Sequence, residues 1–254
     1  MNNELNELRK AWEREEKAEL SGWDFSHIKG RWEEEELPWD YKNTVQEYLS
    51  DDGVLLDMGT GGGEFLLELG HPYTKTFVTE SYAPNLALCH EKLAPLGIGV
   101  FSTTENDRLP FDDSAFDVVI NRHESFESRE VRRVLKQGGV FITQQVGGEN
   151  NSALSRSLID GVVPAYRGWN LAGAVDSLED TGFEIAWKDE CFPQLRFYDV
   201  GAVVYFAKTI EWEFPEFSVE MCFERLVELH VKCQKEGFLE SREHRFMIIG
   251  KNMK

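Results

Sequence analysis

The chain lacks most of what would tie it to nucleic acid, to a membrane or to a metal. Lysine and arginine number only 27 against 46 aspartates and glutamates, a formal net charge of -19. A protein that grips nucleic acid displaces phosphate counterions with a basic surface, so nucleic acid is not the expected partner, although a local basic patch is compatible with this balance. No apolar run is long enough to span a bilayer, and no early segment reads basic-then-apolar. No membrane partner is therefore expected, and the cytoplasm is the expected location. The cysteines are only four, Cys89, Cys191, Cys222 and Cys233, with no CxxC pair among them. Such scatter disfavours a zinc site and a disulfide framework and fits a reducing compartment. The six histidines share no spacing that suggests a metal.

What is present suffices for a sizeable core. With 254 residues and 41% hydrophobic content, the chain fits one large domain or a core domain with a cap. Asn3 to Leu20 reads as a charged helix with Leu8, Trp12 and Leu20 among its few apolar contacts. Ser21 to Tyr41 is dense in aromatics, with Trp23, Phe25, Trp32, Trp39 and Tyr41 set among acids. Rings at that density bury against something, either as a lid over a cleft or on the outer face of the core. Residues 1–50 are thus expected to form a helical and aromatic cap, and 51–254 the main domain.

After Asp52, apolar strands alternate with amphipathic helices. Strands are expected at Val54–Asp57, Thr76–Thr79, Gly99–Phe101, Phe116–Ile120 and Val140–Gln144, with helices near Glu64–Leu69, Ala87–Leu93 and Arg129–Leu135. This alternation predicts parallel βαβ units in a doubly wound sheet. Further on, a helix is expected at Leu171–Asp180 and a strand at Phe183–Trp187. Val200–Thr209 and His244–Ile249 read as two more strands, separated by a helix over Val219–Lys235. The fold class expected is α/β: a Rossmann-like doubly wound seven-stranded sheet, mostly parallel, with an antiparallel C-terminal edge strand.

The strongest local signal is a strand that runs through a glycine loop into a helix, Val54-Leu55-Leu56-Asp57-Met58-Gly59-Thr60-Gly61-Gly62-Gly63-Glu64-Phe65. Glycines at 59, 61 and 63 let the backbone turn sharply and let a ligand approach. A dinucleotide fingerprint needs its third glycine at position 64, which is glutamate here, and no GK[ST] follows to make a P-loop. The second strand ends in Thr79-Glu80. Farther on stand Glu105-Asn106-Asp107-Arg108-Leu109-Pro110-Phe111, Ser114-Ala115-Phe116-Asp117-Val118-Val119-Ile120 and Leu135-Lys136-Gln137-Gly138-Gly139.

In this order these motifs resemble those of class I S-adenosylmethionine (SAM)-dependent methyltransferases, specifically the type 11 group that is similar to the ubiquinone and menaquinone-biosynthesis enzymes. Glu105-Asn106 stands where Asp-Ala is usual, and Gln137 replaces a proline. The resemblance implies SAM as cofactor and S-adenosylhomocysteine as product. It implies that Gly59, Thr60, Gly61 and Gly63 shape the pocket for the methionine part, with Asp57 anchoring that end. By the same resemblance Glu80 takes the ribose, Ser81 or Tyr82 lies next to the adenine, Glu105 and Asn106 reach the adenine amino group, and Asn121 touches the methionine end.

Methyl transfer needs an acceptor held in line with the methyl and sometimes a base to deprotonate it. The acceptor is expected at the carboxyl ends of the first, fourth and fifth strands. His123 is the candidate base because its free pKa lies near neutrality, the alternative being a histidine that only holds the loop. Glu124 either orients it or acts itself. Gln144 is a candidate for positioning the acceptor; of Gln144 and Gln145, one should point into the packed interior. Residues 147–170 are expected to insert substrate-recognition structure, with Arg167 and Trp169 walling the acceptor pocket or packing in the core. The expected activity is methylation of a small molecule. The alternatives are an RNA or protein methyltransferase and a SAM-binding protein without catalysis. A monomer and a homodimer are both compatible with the sequence.

Overall fold

The structure is a computed structural model and describes residues 2–19, 25–103 and 108–253. In chain order its elements begin with α1 (Asn2–Glu16), β1 (Trp32–Glu34), α2 (Tyr41–Tyr48), β2 (Leu55–Met58), α3 (Glu64–Glu68), β3 (Thr76–Glu80), α4 (Ala83–Lys92) and β4 (Gly99–Ser102). Next come β5 (Phe116–Arg122), α5 (Ser128–Val134), β6 (Leu135–Val146), α6 (Ser152–Leu158), α7 (Leu171–Asp180) and β7 (Phe183–Cys191). The described chain ends with β8 (Gln194–Phe197), α8 (Val200–Thr209), α9 (Val219–Glu236), β9 (Leu239–Arg242) and β10 (Arg245–Asn252). Two compact units result. One is built from the chain up to Leu37, Gly147–Gly168 and Cys191–His244; the other from Pro38–Val146, Trp169–Glu190 and the chain from Arg245. The expected cap is shared between them, with Trp39 and Tyr41 in the second unit. No helix among the described residues is long and apolar enough to cross a membrane.

The second unit holds a seven-stranded sheet in the order β4-β3-β2-β5-β6-β10-β7. The pairs β3–β4, β2–β3, β2–β5 and β5–β6 are parallel, and β10 runs antiparallel to β6. The fold class read from the sequence is the one observed. Its strands read as nearly continuous apolar runs because both faces are covered. Leu55, Val78, Ile120, Ile142 and Met247 face a core shared with Tyr41 and Val45 of α2 and Leu66 of α3. Leu56, Val119, Phe141, Phe246 and Ile248 face Val131 of α5 and Val175 of α7. From β2 the chain builds outward through β3 and β4, then returns to place β5 on the other side of β2. The carboxyl ends of β2 and β5 therefore flank the switch point where such sheets bind ligands.

The first unit is built on α1, α6, α8 and α9 with a small antiparallel sheet, β1-β8-β9. The expected strand at Val200–Thr209 is instead the helix α8. Every residue from Val200 to Ala207 is buried, so no polar face survives to display a helical period, and a short run buried all round reads equally as strand. Asp199 decides the matter locally. Its side chain caps the helix by accepting from the Ala202 N–H (2.9 Å), and it also receives two bonds from the Arg31 guanidinium (2.6 and 2.8 Å). Arg31 in turn donates to Glu15 of α1 at 2.9 Å. Phe25 and Trp32 of the aromatic segment pack against Phe206, with ring centroids 5.9 Å away in both cases, so this part of the segment serves the unit's core. Trp12 of α1 is buried in the same core, while Leu20 and Trp23 lie outside the described residues.

Asp199→Ala removes the cap and the guanidinium's partner together and is expected to lower the denaturation midpoint, the cap alone being worth about 1 kcal/mol. Asp199→Asn keeps a capping oxygen and is expected to lose distinctly less, as chemical denaturation of the two variants will show.

Candidate active site

The glycine loop is pinned from the neighbouring strand. The carbonyl of Thr79 at the end of β3 accepts from the N–H groups of Gly59 (3.0 Å) and Thr60 (3.2 Å). One Glu80 carboxylate oxygen accepts from the Gly61 N–H (2.9 Å) and the other from the Tyr82 N–H (2.8 Å). The Cys89 thiol of α4 donates to the Gly61 carbonyl at 3.1 Å. Gly59, Gly61 and Gly63 all have positive φ, a region open to glycine at little cost. Two of them also answer to sterics: a Cβ on Gly59 would lie 2.6 Å from Glu124 carbons, and one on Gly63 2.7 Å from Leu93. Gly61 differs, because a Cβ there would meet nothing within 4 Å. Its backbone borders open space, as a loop that admits a ligand requires.

Asp57 and Glu80 are both buried at the ends of adjacent strands. Burial pushes the Asp57 carboxyl up to about 7, with the Thr60 hydroxyl hydrogen bond and then the Arg122 charge opposing the rise and the Glu80 charge adding to it. Glu124 is also held above its ordinary value, first by burial and then by Glu80. Three carboxyl groups thus collect around the loop, a setting that favours a cationic ligand. Among the described residues, the buried Asn121 Nδ2 completes no hydrogen bond in the protein, and neither does Arg196 Nε of the first unit. Asn121 is fully buried next to Met58 in the β2–β5 register, and its Oδ1 accepts from Thr143 (3.0 Å) and Gln145 (2.6 Å). An orphaned buried donor is costly, so Asn121 Nδ2 fits a site completed by a ligand.

At the ends of β5 and β6, Tyr41 of α2 donates to the backbone carbonyls of Asn121 (3.1 Å) and Ile142 (3.3 Å). The Arg122 guanidinium lies 4.3 Å above the Phe65 ring. The Trp39 indole donates to Gln144 Oε1 (2.8 Å), and Gln144 Nε2 meets His123 Nε2 at 3.1 Å. His123 is exposed on one side, yet desolvation by the protein against its other side, then the charges of Arg245 and Arg122, hold its pKa below the usual histidine value.

The sequence-derived candidates are therefore distributed as follows. Asp57, Gly59, Thr60, Gly61, Gly63, Glu80, Asn121, His123, Glu124 and Gln144 stand at the loop and at the carboxyl ends of β3, β5 and β6. Ser81 and Tyr82 follow Glu80 and are exposed. Glu105 and Asn106 lie outside the described residues. Gln145, unlike Gln144, is buried against Asn121, Thr143 and the Glu124 carbonyl. Trp169 is half-buried, 6.0 Å from the Phe126 ring and 5.7 Å from that of Phe246. Arg167 is exposed and belongs to the first unit. Arg122 and Arg245 carried no role in the sequence reading, and Trp39 and Tyr41 only a general one. Nothing local marks them, since their partners are distant in the chain.

Residues 56–143 match the family described as a methyltransferase domain. No curated protein matches the chain in sequence. Among solved structures, a Bacillus halodurans protein assigned as a methyltransferase superposes with a TM-score of 0.57 at 15% identity, over 85% of this chain and 99% of that one. The YcgJ protein of Bacillus subtilis gives 0.56 at 18% identity, over 84% and 98%. A Galdieria sulphuraria protein assigned as a sarcosine dimethylglycine methyltransferase gives 0.51 at 14% identity, over 83% and 82%. At these identities the structures speak for the fold, and the family match speaks for the domain. Residues 56–143 thus match a methyltransferase domain, set on a fold that these proteins share.

Proposed function

We propose that the protein transfers a methyl group from SAM to a small-molecule acceptor at the carboxyl ends of β2, β5 and β6. The observation that carries this reading is the orphaned amide nitrogen of Asn121, buried at the end of β5 beside a glycine loop already pinned for a ligand. The net charge of -19 supports a small acceptor over nucleic acid. The Galdieria neighbour is named for small amino-acid acceptors, which agrees with this size class.

Each Glu80 oxygen already takes one backbone N–H and keeps a lone pair for a ribose hydroxyl. Thr60 and Asn121 supply polar atoms for the amino-acid end, and Asp57 supplies negative charge there. Ser81 and Tyr82 flank the adenine. When bound, SAM supplies an electrophilic methyl on a sulfonium, and the C–S electron pair stays with sulfur as a neutral thioether. Glu124, against Gly59 and with its pKa raised, is the group placed to receive the acceptor's proton. His123 and Gln144 orient the acceptor, and Arg167 and Trp169 bound the recognition segment.

Two variants test the reading. An acid whose folded pKa is raised stabilises the protein most at low pH and loses that contribution as pH rises through the folded value. The ligand-free protein is thus expected to lose stability between about pH 4 and 7 on account of Asp57, the window from its ordinary value to about 7. Asp57→Asn should abolish that slope and raise stability at pH 8 by up to roughly 4 kcal/mol, while S-adenosylhomocysteine affinity measured by calorimetry falls at least tenfold. No change in either quantity would remove Asp57 from the site. Glu124→Gln should lower the transfer rate from tritium-labelled SAM by about 100-fold with product affinity nearly intact; an unchanged rate would remove it as the base.

A further inference from the structure

His123 stands just past β5 with φ +65°, a left-handed conformation that is costly for a residue with a Cβ and persists where its surroundings impose it. Its backbone N–H donates to the Gln144 carbonyl (2.8 Å), and its ring meets the Gln144 side chain. The chemistry of the three side chains fixes where the imidazole proton sits. An indole N–H can only donate, so the Gln144 atom 2.8 Å from Trp39 Nε1 is the amide oxygen. The atom facing His123 is then the amide nitrogen, which also can only donate. His123 Nε2 must therefore offer its lone pair across the 3.1 Å contact, and a neutral imidazole has only one such nitrogen.

We infer that His123 acts in the transfer as a neutral hydrogen-bond donor, its proton held on Nδ1 by Trp39 acting through Gln144, and that the acceptor offers it a lone pair. The assignment of role rests on the methyl-transfer reading above; the position of the proton does not. Three elements bring groups that act on the ring directly, and Trp39 acts on it through Gln144. The end of β5 brings Arg122, β6 brings Gln144, the start of β10 brings Arg245, and the chain ahead of α2 brings Trp39. Both arginines oppose a third positive charge. The adjacent carboxyl, Glu124, is itself pushed towards its neutral form by burial.

The consequence concerns the acceptor's proton. Methylation of a neutral O–H or N–H acceptor forms a bond to the methyl carbon, breaks the C–S bond with its electrons left on sulfur, and releases one proton. With Nε2 already engaged by Gln144, His123 has no free lone pair for that proton, which passes to the Glu124 carboxylate. Trp39 and Gln144 are positioning residues, because they act on the acceptor through His123. The acceptor's class follows: it carries an oxygen or nitrogen lone pair beside the atom that is methylated, as a carboxylate, carbonyl or ether does.

The test is long-range proton–nitrogen correlation NMR on histidine-labelled protein, with the His123 signals assigned from the His123→Asn variant. The expected spectrum shows a protonated Nδ1 and a bare Nε2, with no titration of that ring from pH 8 down to about 5. Gln144→Met breaks the relay and should give mixed tautomers, with the ring still neutral down to about pH 5 because Arg122 and Arg245 remain beside it. Trp39→Phe frees the amide to turn and should also mix the tautomers. A proton on Nε2 in the intact protein, a midpoint near the ordinary histidine value, or a Gln144→Met spectrum identical to the intact one would each overturn the inference. Calorimetry of the intact sample with S-adenosylhomocysteine reports separately on the methyl-transfer reading, so the two can fail independently.

Discussion

The carboxylate of Glu80 takes two backbone N–H groups, one from the glycine loop after β2 and one from the start of the chain leading to α4. Together with the Thr79 carbonyl it turns the loop into a fixed shelf instead of a mobile turn. The shelf exists because β2 and β3 are adjacent and parallel, which brings both carboxyl ends to one edge of the sheet. Parallel pairing in turn requires helices across both faces, and these explain the apolar strands and the two cores on either side of the sheet. The site is thus a product of sheet topology first and of individual side chains second.

The placement of charge around this shelf is uneven. Asp57, Glu80 and Glu124 gather at the loop, at the cost of a raised pKa for Asp57 and Glu124. Arg122 and Arg245 gather around His123 and oppose its protonation. A cationic sulfonium suits the first set, and a group that offers lone pairs suits the second. Sites that keep buried carboxyls charged for a ligand give up folding stability in its absence, a common origin of the trade between stability and function.

The sequence disclosed those parts whose chemistry is local. Asp57 to Gly63 forms strand, loop and helix start within seven residues, and Glu80 declares itself by its place at the end of the next strand. The helix α8 did not declare itself, because a run buried on all sides has no polar face to set its period. The sheet β1-β8-β9 was equally silent: its strands have three or four residues each, and Trp32 finds Phe197 far along the chain. The same limit hid the Trp39–Gln144–His123 relay, since the indole and its amide lie 105 positions apart. Tyr41 was visible as an aromatic, but its bonds to the ends of β5 and β6 depend on the register of the finished sheet.

The most direct measurement is a crystal structure of the complex with S-adenosylhomocysteine. The account predicts the ribose hydroxyls on the two Glu80 oxygens and the amino-acid end of the ligand on Asn121 Nδ2, a buried donor that lacks a partner in the protein alone. A nucleoside bound away from Glu80, or a ligand that leaves that nitrogen unpartnered, would contradict it.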